Sequence, residues 1–261
     1  MLTRRELVCL GGASFLYSRN TLLRQTSNST TITELQKGDP EASYEKVSFD
    51  AEALKRLVSS SAKASFEKWD KGLPLRMISS ARSFLGASRE TTPGQITEFL
   101  ALFRLPFKDN NGYVPFCAAG LSFCALMAYT KSLRPDFDIT KRMSYLREYM
   151  PDFEHYYFYP TVSCVSMYHI AAGKNRWIER KAQPAIVPKP GWLVLYDWEN
   201  TGIPNHCGIV SHATRDKLST IEFNTSGTSG GSQRNGGTVS EKERGFNYVK
   251  GYIVTDSLPR E

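Results

Sequence analysis

A cysteine, a histidine and a carboxylate in this chain have the residue types of a covalent hydrolase. Cys117 stands near the start of the apolar run 116–129, which predicts a buried helix with the thiol in its first turn. Unpaired backbone N–H groups and the helix dipole favour a thiolate there, and a thiolate attacks carbonyl carbons. Cys117 is therefore the candidate nucleophile, with a structural core cysteine as the alternative.

A candidate general base lies on a strand pattern further along the chain. His206 belongs to the strand-like segment 205–211, and Glu222 and Asn224 stand two residues apart in the next one, 218–225. Because strand side chains alternate between faces, Glu222 and Asn224 share a face, and antiparallel pairing can bring either beside His206. A carboxylate or an amide oxygen can fix the tautomer that a general base needs. Cys, His and then Glu or Asn is the papain-type order.

The remaining cysteines predict no further chemistry. The five cysteines are at positions 9, 117, 124, 164 and 207, without CxxC or HExxH spacing, so we expect no disulfide framework, no metal and no cofactor. Cys124 is expected in the core. Cys207 is expected on the strand face opposite His206, and Cys164 has no predicted partner.

Helical elements precede and follow the candidate nucleophile. Apolar residues recur at helical spacing in 50–69, a second helix is predicted over 74–86, and a third opens at Thr92 and ends before Pro106. Residues 131–190 are predicted to be helical and irregular, and we interpret them as a flap-like insertion bordering the site.

Strands dominate the end of the chain. The patterns predict strands over 192–198, 205–211, 218–225 and 248–254, with a Gly/Ser-rich loop at 226–237. Since helices come first and antiparallel strands afterwards, the sequence predicts an α+β protein.

The N-terminal residues are predicted to lie outside the folded unit. Segment 1–24 resembles a twin-arginine export signal, with Arg4 and Arg5 before a short apolar stretch; no small-residue cleavage site follows, and an ordinary N-terminal helix is the alternative. The Ser/Thr-rich segment 25–46 is predicted to be a flexible linker. The folded, catalytic unit is then 47–256.

Composition and charge narrow the classes of partner. With 41% hydrophobic residues in 261, the chain can form a sizeable hydrophobic core. The longest apolar runs are shorter than the about 18 to 20 residues that span a bilayer, so no membrane span is expected. The formal net charge of +7 favours a polyanionic partner, but no basic block points to nucleic acid. We expect a monomer.

Several segments, in chain order, resemble the CHAP domains, the cysteine, histidine-dependent amidohydrolases/peptidases. The similarity covers about residues 75–254. The matching segments are Val114-Pro-Phe-Cys-Ala-Ala, Lys189-Pro-Gly-Trp-Leu-Val, Asn205-His-Cys-Gly-Ile-Val, Thr220-Ile-Glu-Phe-Asn-Thr and Arg244-Gly-Phe-Asn-Tyr. In the family they correspond to the nucleophile helix, the Pro-Gly-Asp-Leu-Val strand, the histidine strand, the Thr-Ile-Glu-Gly-Asn-Thr strand and the terminal strand.

The resemblance implies a papain-like CHAP fold, in which N-terminal helices pack on an antiparallel sheet. It implies Cys117 as nucleophile, His206 as general base and then acid, and Glu222 as the group that orients His206, with Asn224 assisting or substituting. The implied activity is amidase or endopeptidase cleavage through a thioester. Peptidoglycan is the expected substrate, in the periplasm or outside the cell.

The chain departs from the family pattern around this site. Phe116 replaces Trp, Gly120 replaces a larger apolar residue, Trp192 replaces Asp and Cys207 replaces Val. These departures leave other interpretations open: an intracellular amidase, a secreted effector acting on another amide, or a non-catalytic wall-binding module.

Two substrate-binding features are also predicted. The backbone N–H of Cys117 can bind the oxyanion, with a second donor from Asn111, its neighbour Asn110, or Tyr113. Trp198 either belongs to the core or lines a substrate groove.

Overall fold

The computed structural model describes residues 72–154, 160–227 and 231–256. The predicted export signal at 1–24, the linker at 25–46 and the helix at 50–69 lie outside the described residues.

Five α-helices occur in the described ranges, together with a 3-10 helix at Ile139–Lys141. They are α1 (Leu73–Arg82), α2 (Pro93–Leu102), α3 (Cys117–Leu133), α4 (Arg142–Glu154) and α5 (Cys164–Gly173). The helices predicted to start near Pro74 and Thr92 are confirmed as α1 and α2; each has a proline in its first turn, where no N–H is needed. None of the helices in the described ranges is long and apolar enough to cross a membrane.

The strands form a hairpin and a six-stranded sheet, antiparallel throughout. The hairpin pairs β1 (Lys108–Asp109) with β2 (Gly112–Tyr113). The sheet contains β3 (Trp177–Glu179), β4 (Leu193–Tyr196), β5 (His206–Ala213), β6 (Leu218–Thr225), β7 (Thr238–Arg244) and β8 (Val249–Ile253), in the order β3-β8-β4-β5-β6-β7. The predicted α+β class, with helices and an antiparallel sheet, is confirmed.

The two edge strands of the six-stranded sheet were not predicted from the sequence pattern, and neither were the short hairpin strands β1 and β2. β3 lies inside segment 131–190, which was predicted to be helical and irregular, and it pairs with β8. β7 pairs with β6, although its sequence is largely charged and Val239 is its one buried residue. An edge strand has one neighbour and needs little apolar surface, so its hydrophobic pattern is weak.

The sheet is buried on both faces. The helices pack on one face, where Cys207 and Ile209 of β5 join the main core with Cys117. Val210 of β5 belongs to a second apolar cluster with Tyr196 and other residues of the opposite face. Successive residues of a strand point to opposite faces, so each face of β5 has its own surroundings.

A close contact joins α3 to the sheet. A Cβ atom added at Gly120 would lie 2.3 Å from Cδ1 of Phe223 on β6, so the phenyl ring occupies the space that a side chain at position 120 would take. Gly120 and Phe223 therefore pack as a complementary small–large pair.

Candidate functional site

His206 and Glu222 form a buried pair at the centre of the sheet. His206 begins β5, and the register places Glu222 of β6 opposite Gly208, on the same face as His206. Nε2 of His206 lies 3.1 Å from Oε2 of Glu222, and both side chains are fully buried. Of the two predicted partners, Glu222 is the one that contacts the imidazole.

The Glu222 carboxylate is held by further donors. Arg244 donates from Nε to Oε1 at 2.8 Å and from Nη2 to Oε2 at 2.6 Å, and the Thr220 hydroxyl donates to Oε1 at 2.8 Å. Burial by itself raises the pKa of Glu222, but the hydrogen bonds from Arg244 and His206 outweigh it and lower the pKa to about 2. Glu222 is therefore ionised at neutral pH.

This ionised carboxylate determines the tautomer of His206. A carboxylate accepts hydrogen bonds and cannot donate them, so Nε2 of His206 carries the proton. In the neutral imidazole, Nδ1 then carries the lone pair. Nδ1 is buried and has no hydrogen-bond partner among the described residues, which leaves it free to accept a proton.

Aromatic rings cover the imidazole. The Tyr196 ring stacks at 6.0 Å between centroids, and the Trp198 ring lies at 6.4 Å. The Arg244 guanidinium lies 5.1 Å from the centroid of the Trp198 ring, a cation–π distance. Burial raises the pKa of Tyr196 well above its usual value, with a further contribution from the charge of Glu222. Trp198 therefore belongs to the wall of the His206 site.

Asn224 has a different role from Glu222. Its backbone adopts φ +60°, and the β6–β7 register shifts between Glu222 and Thr225. Its Nδ2 donates to the backbone oxygen of Arg234 at 3.2 Å and to Oδ1 of Asn235 at 3.1 Å. This side chain fixes the loop after β6 and is not bonded to His206.

The candidate nucleophile faces other cysteines. Cys117 is the first residue of α3, as predicted, and its Sγ lies 3.8 Å from Sγ of Cys164, the first residue of α5. The thiols of Cys117, Cys164 and Cys207 all lie within 4.8 Å of one another. Cys207 faces the helices, as its alternation with His206 predicts.

Cys117 and His206 are not brought together. Cys117 lies in the core on the helix side of the sheet, whereas His206 stacks on Tyr196, which belongs to the cluster on the opposite face. Among the described residues, the His206 ring hydrogen-bonds to Glu222. The predicted pairing of thiol and imidazole is therefore absent from the described arrangement.

The predicted oxyanion donors lie in the β1–β2 hairpin. Asn111 is exposed, and its backbone N–H donates to Oδ1 of Asp109 at 2.7 Å. The Tyr113 ring lies 4.2 Å from Nζ of Lys108 and 5.0 Å from the guanidinium of Arg89. The Tyr113 ring also packs edge-on against Phe107, at 5.3 Å between centroids.

Two features of the site were missed by sequence reasoning. Arg244 ends the edge strand β7, whose polar sequence gave no strand signal. The thiol cluster joins residues far apart in the chain: Cys117 and Cys164 are separated by 47 positions, and no motif spacing relates them. The one sequence signal was the alternation along β5, which predicts that Cys207 lies on the face opposite His206.

The described residues define an α+β protein that carries a buried His–Glu–Arg chain on one sheet face and three clustered thiols on the other. No family model matches the sequence, and no curated protein and no solved structure shows significant similarity to it.

Proposed function

We propose that this protein is a cysteine amidohydrolase or endopeptidase of the CHAP type, with a papain-like arrangement of helices and sheet. The observation that carries the proposal is His206, whose Nε2 is fixed by an ionised Glu222 while its Nδ1 is buried with no hydrogen-bond partner among residues 72–154, 160–227 and 231–256. A buried acceptor nitrogen without a hydrogen-bond partner destabilises the folded protein. A catalytic role as general base, which requires this nitrogen to accept a proton, would explain why it is present.

In the proposed reaction, Nδ1 of His206 takes the proton of the Cys117 thiol, and the thiolate attacks an amide carbonyl. The imidazolium then donates that proton to the leaving amine, which leaves a thioester. A water molecule, deprotonated by Nδ1, hydrolyses the thioester and releases the thiol. Glu222 stays ionised throughout and stabilises the imidazolium, and Arg244 holds Glu222 in place.

The reaction requires a movement of the nucleophile. Sγ of Cys117 must leave Cys164, at 3.8 Å in the described arrangement, and come within hydrogen-bond distance of Nδ1. Because Cys117 and His206 lie on opposite faces of the sheet, the start of α3 must shift relative to β5, and this rearrangement is part of the proposal.

The substrate that we propose is the peptide portion of bacterial peptidoglycan. The formal net charge of +7 suits an anionic cell wall, and the resemblance of 1–24 to an export signal supports action in the periplasm or outside the cell. We propose that the protein acts as a monomer, without nucleic acid.

The test is incubation of the full chain with peptidoglycan sacculi, followed by mass spectrometry of the soluble products. Fragments released by the wild type, and lost in both Cys117→Ala and His206→Ala, are expected. Cys124→Ala is the matched control, because Cys124 is also a buried cysteine of α3, and it should retain the activity. If the wild-type protein and all variants leave the sacculi intact, wall hydrolysis is refuted. Cleavage of small amide conjugates instead would favour an intracellular amidase or an effector.

A second candidate function is a non-catalytic wall-binding module. It is favoured by the burial of Cys117, which is 2% exposed, and by its place on the sheet face opposite His206. Alkylation with iodoacetamide at neutral pH separates the two. Burial strongly raises the pKa of the Cys124 thiol, so Cys124 is an unreactive reference. If iodoacetamide alkylates Cys117 no faster than Cys124, the binding module is favoured.

A further inference from the structure

Three buried thiols from three separate elements converge on one point of the helix-side core. Cys117 begins α3, Cys164 begins α5 and Cys207 lies in β5. Their residues are between 0 and 2% exposed, and their sulfur atoms lie within 4.8 Å of one another. The proposed hydrolysis uses one of these thiols and gives no role to the other two.

We propose that Cys117, Cys164 and Cys207 bind a thiophilic divalent ion, Zn²⁺. Tetrahedral zinc with Zn–S bonds of about 2.3 Å places its sulfur ligands about 3.8 Å apart. The Cys117–Cys164 sulfur distance is 3.8 Å, and the 4.8 Å limit on the others requires them to close by no more than about 1 Å.

The surroundings compensate the charge of such a site. Three thiolates and one Zn²⁺ carry a net charge of −1. Two ligands stand at helix N-termini, each equivalent to about half a positive charge, so α3 and α5 together offset that charge. Phe116, the N-cap residue of α3, provides no side-chain cap, which leaves first-turn N–H groups of α3 without a capping side chain.

Three protein ligands leave the fourth zinc position to a water molecule or an external anion. A bound ion would also hold Cys117 Sγ away from His206. Zinc binding and the proposed hydrolysis are then mutually exclusive, and this consequence alone rests on the proposed function. The metal site itself is independent of it.

The test is a titration of the reduced full chain with Co²⁺ as a spectroscopic probe, followed by displacement with Zn²⁺ against a chromophoric chelator. One equivalent of Co²⁺ should give thiolate-to-cobalt charge-transfer absorption and intense tetrahedral bands. Serine variants of Cys117, Cys164 and Cys207 should each weaken binding by about 100-fold or more, whereas Cys124→Ser should bind as the wild type does.

A measurement on the wild type alone covers the case in which a serine variant fails to fold. Zn²⁺ should slow alkylation of Cys117, Cys164 and Cys207, read out by peptide mass spectrometry after unfolding, with no effect on Cys124. The proposal is overturned if the reduced wild type binds no ion, if Cys124→Ser weakens binding equally, or if Zn²⁺ protects none of the three. A Cys117–Cys164 disulfide that forms in the presence of Zn²⁺ would also overturn it. All these readouts are independent of hydrolysis.

Discussion

The buried Glu222 carboxylate predicts a specific loss of stability in acid. Because the pKa of Glu222 is lowered from 4.5 to about 2 in the folded protein, folding favours its ionised form. The stabilisation is therefore complete above the unfolded-state value of about 4.5 and is lost as the pH falls through about 2. Each pH unit between the two values is worth about 1.4 kcal/mol, so Glu222 contributes about 3 kcal/mol at neutral pH.

The perturbation that isolates this contribution is Glu222→Gln, which keeps the shape and removes the titration. Urea unfolding of the wild type and the variant is measured at several pH values from 7 to 2. We expect the wild type to be the more stable protein at pH 7. Its advantage should shrink by about 3 kcal/mol between about pH 5 and pH 2, because the Glu222 carboxylate becomes protonated as the pH approaches its folded-state pKa.

The matched control is Glu241→Gln, on the neighbouring strand β7, where the carboxylate is 47% exposed. Its difference from the wild type should change by less than about 1 kcal/mol over the same range. If Glu222→Gln and the wild type lose stability in parallel as the pH falls, the hydrogen bonds from Arg244 and His206 do not hold the carboxylate as argued.

Two further substitutions test the packing and the charge of the site. Gly120→Ala should lower the free energy of unfolding by about 1 to 3 kcal/mol, because the new methyl group meets Phe223; Gly94→Ala, which meets open space in α2, is the control, and equal urea midpoints for the two would contradict the contact. Arg244→Met should destabilise the protein by about 3 to 5 kcal/mol, since it leaves the Glu222 carboxylate buried without its cation. Urea unfolding at pH 7 measures this loss, and a loss that disappears in the Glu222→Gln background confirms the pairing, whereas additive losses exclude it.

Much of the sheet could be predicted because its central strands are strongly apolar. The segment predicted at 218–225 is β6 itself, Leu218–Thr225, and β4, β5 and β8 lie within a few residues of their predicted ranges. The edge strands β3 and β7 could not be predicted, since pairing on one side requires little apolar surface.

The contacts of the candidate site within the sheet could be predicted from the sequence, but the contacts between the helices and the sheet could not. Alternation and adjacent-strand pairing are local rules, and they were sufficient to bring His206 to Glu222. The register shift after Glu222, with Asn224 at φ +60°, turns Asn224 to the loop, and nothing in the spacing signals it. Which face of β5 meets the start of α3 depends on how helices and sheet pack, so the contact of Cys117 with Cys207 was beyond local reasoning.

His206 and Cys207 are consecutive residues of β5, so the imidazole and the thiol lie on opposite faces of one strand. A slip of one position along β6 would exchange them, and would place the thiol beside the carboxylate and the imidazole among the other sulfurs. Gly208 opposes this slip, because a Cβ atom there would lie 2.9 Å from Cγ of Glu222, so a larger residue opposite Glu222 would force the glutamate side chain to shift. A glycine at position 208 thus supports the register that keeps the imidazole of His206 and the thiol of Cys207 on opposite faces of one strand.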